Sequence, residues 1–211
     1  MRNFFGGGEG AGSSRGPANK IPRHSSGWKD LQKYLKEQES LRVLDIGPTS
    51  STNINYLTNL GHSIYMANLV EEAVKPEWVI VGEGGEGNSY DVDRFIESNL
   101  SFSGRKFDIV MLWDTADFLP EALVAPMFER LREVIVPGGR MLAFFHSTND
   151  PNAVFCRYHL TETEMVEMQK AGSYPLLNSY NNRKIENLLN EFGSYRFFLA
   201  KDTLREVIVT R

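Results

Sequence analysis

Cysteine is almost missing: the 211-residue chain has one, Cys156, so no intrachain disulfide can form and nothing points to an oxidising compartment. A cytoplasmic location is the expectation. Long apolar runs are missing too. No stretch approaches the roughly 20 residues of a membrane helix, and the N-terminus lacks the apolar centre of a signal peptide, so neither membrane insertion nor secretion is expected. Blocks of like charge are absent. The 23 basic and 27 acidic residues are interspersed, giving a net charge of -4, and no basic stripe marks a nucleic-acid surface. The four histidines, His24, His62, His146 and His159, show no paired ligand spacing and no cysteine partner, so no metal site is expected. Cys156 lacks a recognisable triad setting, and SSTN lacks the glycines of a nucleophile elbow, which argues against a serine hydrolase.

What is present is enough for one core: 41% of the residues are hydrophobic. Residues 1–23 hold GGGEGAGSSRGPANK, too poor in apolar groups to repay the entropy of ordering, and are expected to form a disordered Gly/Ser-rich tail. No strand precedes this run and no Gly-Lys-Ser/Thr follows it, so it is not a phosphate loop. The domain is expected over 24–211.

Within the domain, SSGWKDLQKYLKEQE reads as a helix capped by Ser25 or Ser26, with Trp28, Leu31 and Leu35 on one face. LRVLDIG reads as a strand, followed by a tight loop and a helix in which Ile54, Leu57 and Leu60 share a face before Gly61. HSIYMANL and EWVIV read as further strands, with a flexible GEGGEGNS after them. DVDRFIESNL is helical, FDIVMLW a buried strand, EALVAPMFERLREVI a helix, and VPGG a turn into the strand RMLAFFH. Pro126 is tolerable only in or near the first turn of its helix. Residues 147–180 are weakly patterned, with a short helix around TETEMVEMQKAG, and are a candidate substrate-side insert. The chain closes with the helix NNRKIENLLNEFG, the strand YRFFLA, the turn KDT and the strand LREVIVT. So short a connection joins only antiparallel neighbours.

Alternating strands and helices imply an α/β doubly wound sheet, mainly parallel, of about seven strands with helices on both faces. VLDIGPTSSTNINYL, FDIVMLWDTADFL and LREVIVPGGRMLAFF, in that order and followed by the closing hairpin, resemble the class I S-adenosylmethionine-dependent methyltransferases over about residues 25–211. The resemblance is to a divergent, methyltransferase type 11/12-like member with a Rossmann-like fold. It implies S-adenosylmethionine as cofactor and a small-molecule acceptor.

The resemblance assigns the cofactor to Asp45, Gly47, Pro48 and Thr49 in the first loop, Asn68 and Leu69 after the second strand, Asp91 near the adenine, and Trp113 at the end of the fourth strand motif. Asp45 would orient the loop or accept from the methionyl amine, and the hydroxyls of Thr49 to Ser51 would bind its carboxylate or cap the helix. The family usually shows a Gly-x-Gly-x-Gly-like loop, and here only the first glycine stands, with Pro48 removing a backbone donor. Asn68 stands where the family carries an acid that grips both ribose hydroxyls. Asp114 and His146, at the ends of neighbouring strands, are the candidate general bases, needed only if the acceptor must lose a proton.

These departures leave two other readings open: a non-catalytic relative with a degenerate site, and, third, a nicotinamide-dependent oxidoreductase, against which Pro48 and the terminal hairpin argue. An open cleft at the Asp45 loop with Asn68 and Asp114 pointing in favours catalysis. Filling of that space by Pro48, Tyr65 or Trp113 favours degeneracy.

Overall fold

The computed structural model describes residues 19–82, 87–199 and 202–211. The expected tail falls outside these up to residue 18, as do the middle of GEGGEGNS and the first residue of KDT. The described elements are, in order, β1 Ile21–His24, α1 Ser26–Glu37, β2 Arg42–Ile46, α2 Ser51–Asn59, β3 Ser63–Ala67, α3 Leu69–Ala73, β4 Val79–Ile80, β5 Ser89–Tyr90 and α4 Val92–Leu100. Then come β6 Phe107–Trp113, α5 Thr115–Phe118, α6 Glu121–Val134, β7 Ile135–His146, β8 Cys156–Leu160, β9 Met165–Lys170, α7 Asn182–Leu189, β10 Ser194–Phe198 and β11 Leu204–Thr210.

The main sheet has six strands in the order β10-β11-β7-β6-β2-β3. From β7 to β3 the pairs are parallel, and β11 runs antiparallel between β7 and β10. The chain leaves β2 for β3 on one side and returns to β6 on the other, so the order reverses between β2 and β6. In such a sheet the crevice outside the carboxyl ends of those two strands is where ligands bind.

Alternation along the strands splits the core into two layers. Leu44, Ile46, Val110, Leu112, Ala143 and Phe145 join Phe95, Phe128 and Ile185 from α4, α6 and α7. Val43, Ile109, Met111, Leu142 and Phe144 meet Trp28, Leu31, Leu35 and Leu57 from α1 and α2. Asp45, between Leu44 and Ile46, therefore faces the α1/α2 layer, the only polar residue of β2 held at 3% exposure.

The local signals act where they stand. Ser25 caps α1, accepting from Trp28 N at 3.0 Å, and Gly61 follows α2 at φ +84°, a left-handed stop that glycine tolerates. Pro126 is the sixth residue of α6, so the carbonyl of Ala122 lacks its helical donor, and Ala122 lies on the exposed face.

Four expectations change. The segment EWVIV contributes only Val79–Ile80, which pairs with Ser89–Tyr90 in a ribbon outside the main sheet, so that sheet has six strands where about seven were expected. The strand β1, Ile21–His24, starts inside the stretch expected as tail. Met165–Lys170 is a strand, where its sequence reads as helical. It is the middle of a second sheet, β1-β9-β8, and pairing on both sides overrides its spacing. The PGG segment is not a separate turn: β7 runs through it, with Gly138 at φ +78° and the Arg211 carbonyl accepting from Gly138 N at 2.8 Å.

Candidate functional site

The second sheet lies over the β2–α2 loop. Asn53, on the first turn of α2, donates to Asp45 Oδ2 at 2.9 Å and to the Tyr158 carbonyl at 3.0 Å, and its Oδ1 accepts from Leu160 N at 2.8 Å. Ser50 caps α2 and pairs with His159 Nδ1 at 2.8 Å. Burial holds His159 below the usual imidazole range. Ser50 and Asn53 are buried at 1% exposure, so β8 closes the space in front of this helix start.

Trp113 closes it from the side. Its backbone is left-handed at φ +52°, unusual for a bulky residue, and its indole stacks on Tyr158 with centroids 4.8 Å apart and planes 7° apart. The indole N–H donates to Asp45 Oδ1 at 2.7 Å, and ring atom Cδ1 lies 3.4 Å from where a Cβ on Gly47 would sit. Both oxygens of Asp45 thus hold a donor from within the chain. Burial still raises its carboxyl to about 6, with the bonds from Asn53 and Trp113 pulling the other way.

On the far side of Tyr158 stands a second buried polar group. Tyr158 OH donates to Asp114 Oδ2 at 2.9 Å, and Asp117 Oδ2 accepts from both Nδ1 and the backbone N of His146, each at 2.7 Å. Burial, then the charge of Asp117, raises Asp114 to about 7, and burial raises Asp117 to about 6. Burial pulls the His146 imidazolium down, but the bond and charge of Asp117 outweigh it and leave His146 raised. Burial, then the charge of Asp114, lifts Tyr158 well above the usual phenol range. Asp114 Oδ1 and Asp117 Oδ1 are buried with no hydrogen-bond partner among the described residues. Asp114 and His146 share a cavity of about 390 Å3, with Ile21, Val154, Met168 and Leu204 on its walls.

The remaining expected site residues have local partners. Asn68 caps α3, with Nδ2 on Glu71 Oε2 at 2.7 Å, and Leu69 is buried in the core. Asp91 caps α4, accepting from Arg94 N at 3.3 Å. Pro48 is half-buried, Thr49 is exposed, and Tyr65 packs edge-on against Phe107 away from the loop. Two residues of the site escaped the sequence reading. Asn53 sits three residues past a capping serine, a polar residue on a buried helix face, and Asp117 sits i+3 from Asp114, the spacing that puts both on one side of α5. Among the described residues no group of acidic, histidine or cysteine side chains is arranged to hold a metal ion. No helix among them is long and apolar enough to cross a membrane.

No known family model matches the chain, and no curated protein does. Solved structures do. An S-adenosylmethionine-dependent methyltransferase from Methanosarcina mazei aligns at TM-score 0.50 and 16% identity over 86% of this chain and 96% of that one. The magnesium protoporphyrin IX methyltransferase ChlM of Synechocystis PCC 6803, solved with bound S-adenosylmethionine, aligns at 0.47 and 13% over 87% and 77%. The 1,6-didemethyltoxoflavin-N1-methyltransferase of Burkholderia thailandensis, solved with bound 1,6-didemethyltoxoflavin and S-adenosylhomocysteine, aligns at 0.44 and 14% over 88% and 77%. Of other matches the chain spans 55–62% of the length. The chain has the fold of the class I S-adenosylmethionine-dependent methyltransferases.

Proposed function

We propose that the chain is an S-adenosylmethionine-dependent methyltransferase acting on a small-molecule acceptor. One observation carries the reading: at the carboxyl ends of β6 and β7, next to the switch point, Asp114 and His146 form the floor of one cavity. Titratable groups displaced by burial and by each other in a cleft are a mark of chemistry.

The donor set fits the cofactor in part. Asn68 offers one acceptor oxygen at the ribose end, and Asp91 a carboxylate near the base. At the methionyl end Asp45 is available only if Trp113 Nε1 swings off Oδ1. When bound, the cofactor supplies an electrophilic methyl carbon. Asp114 takes the proton an acceptor must lose, and its carboxyl, near 7, is poised to hold it. His146, fixed by Asp117, keeps the floor of the cavity in place.

A second reading rests on a different observation. Trp113 occupies the donor's place on Asp45 and lies over Gly47, as a degenerate cofactor site would have it. Titration with S-adenosylmethionine and S-adenosylhomocysteine, with NAD as control, separates the two. Micromolar binding by the wild type, lost in Asp45→Ala, supports the methyltransferase. No binding at millimolar ligand, with binding gained in Trp113→Phe, supports the non-catalytic relative. Tight binding of NAD alone would replace both with an oxidoreductase.

A further inference from the structure

The cavity over Asp114 has an uneven chemistry. Its walls include the apolar side chains of Ile21, Val154, Met168 and Leu204 beside polar ones such as Asn152 and Thr203, and its floor holds a carboxylate that is 1% exposed. One oxygen of that carboxylate takes the Tyr158 hydroxyl, and the other, Oδ1, is buried with no partner among the described residues. A buried acceptor left unpaired is costly, and a carboxylate more so, so Oδ1 is a place for a further donor.

The charges around it select the donor. His146 and Asp117 face each other as a pair and share a proton. Asp202, on the cavity wall, is bonded to Arg23 at 2.6 and 3.0 Å. Lys170 stands exposed at the mouth, and Asp150 acts on His146 from the loop beyond. Arg23 is shared between Asp202 and Glu206, so the surroundings add no spare positive charge from that side, and on the floor Asp114 has no cation bonded to it.

We propose that this cavity takes a small organic amine, its ammonium or amine N–H on Asp114 Oδ1 and its apolar body between Met168, Val154 and Leu204. The proposal rests on the reading of this cavity as the acceptor site, and it names the acceptor's class. For transfer, the amine must first give up its ammonium proton, which Asp114 receives. The neutral nitrogen's lone pair then forms the bond to the methyl carbon as the methyl–sulfur bond breaks, and the sulfur keeps that electron pair.

The test is calorimetric titration of the full chain at pH 8 with benzylamine, benzyl alcohol and benzoate, which share a body and differ in the head. Benzylamine should bind at least about tenfold more tightly than the alcohol, and benzoate most weakly. Asp114→Asn should erase the preference for the amine while leaving the alcohol, and Met168→Trp, which fills the cavity without touching the carboxylate, should weaken both. Equal binding of amine and alcohol, preferred binding of benzoate, or amine binding unchanged in Asp114→Asn overturns the proposal. Amine binding without S-adenosylmethionine binding keeps this site and removes the methyltransferase reading. Cofactor binding with no amine binding does the reverse.

Discussion

Replacing Trp113 by Phe removes one hydrogen-bond donor from a buried carboxylate and little else of the ring stack. Trp113 Nε1 lies 2.7 Å from Asp45 Oδ1, and Asp45 is 3% exposed, so water does not replace the lost bond. A hydrogen bond to an ionised group contributes about 1.5–3 kcal/mol, against about 0.5–1.5 for a neutral pair. The smaller ring adds roughly 1 kcal/mol of lost packing against Tyr158 and Phe144. Asp45 titrates at about 6, above its ordinary 3.8, so burial already disfavours its ionised form and Trp113 limits that penalty. Without the donor, the penalty at high pH grows. Trp113→Phe should therefore lose about 2.5–4 kcal/mol at pH 8 and about 1.5–2.5 kcal/mol at pH 5, where Asp45 is mostly protonated. Urea denaturation at both values measures this. An equal loss at pH 5 and pH 8 would refute the claim that the indole serves a charged Asp45.

The wild type should itself lose stability as pH rises from about 4 to about 8. Asp45, Asp114 and Asp117 all titrate above 3.8, so their penalty is absent below that value and complete above about 7, while the support from His146 fades through its own raised titration. Asp45 alone, displaced by about two units, accounts for about 3 kcal/mol, and a flat pH profile in thermal melts would contradict this. Glu206→Gln should lower Tm by roughly 5–10 °C, because Glu206, 1% exposed, accepts from Arg23, from Ser25 Oγ at 3.0 Å and from Gly27 N at 2.7 Å. A shift under about 2 °C would mean the buried pair adds nothing. Burial and the Asp114 charge push the Cys156 thiol up to about 12, so iodoacetamide at pH 8 should label the native chain at least about a hundredfold more slowly than the unfolded one. Rapid native labelling would show that the site opens.

The parts of the fold that were legible are those where short-range pattern and final environment agree. β2, β6 and β7 are apolar runs buried on both faces, and α1 carries its serine cap and its Trp28, Leu31, Leu35 stripe. Met165–Lys170 was not legible, because strand pairing with residues far along the chain outweighs a spacing that suits a helix. The site divides the same way. Asp114 and His146 could be put near each other because strand ends in a parallel sheet line up. That Trp113 would turn back onto Asp45, or that Asn53 would tie α2 to β8, depends on a left-handed backbone and on a strand about 105 residues later, and local sequence carries neither.

The contact between Arg23 and Glu206 joins residues separated by 183 positions, and β11, which holds Glu206, lies between β7 and β10. Synthesis from the N-terminus thus produces α1 long before the partner that ties its start exists. Until Leu204–Thr210 has left the ribosome, β7 presents an open edge and Arg23 lacks Glu206. Leu204–Thr210 thus completes the structure begun by Ile21–Glu37, so loss of that one strand would expose an edge of the main sheet and unfasten the start of α1 together.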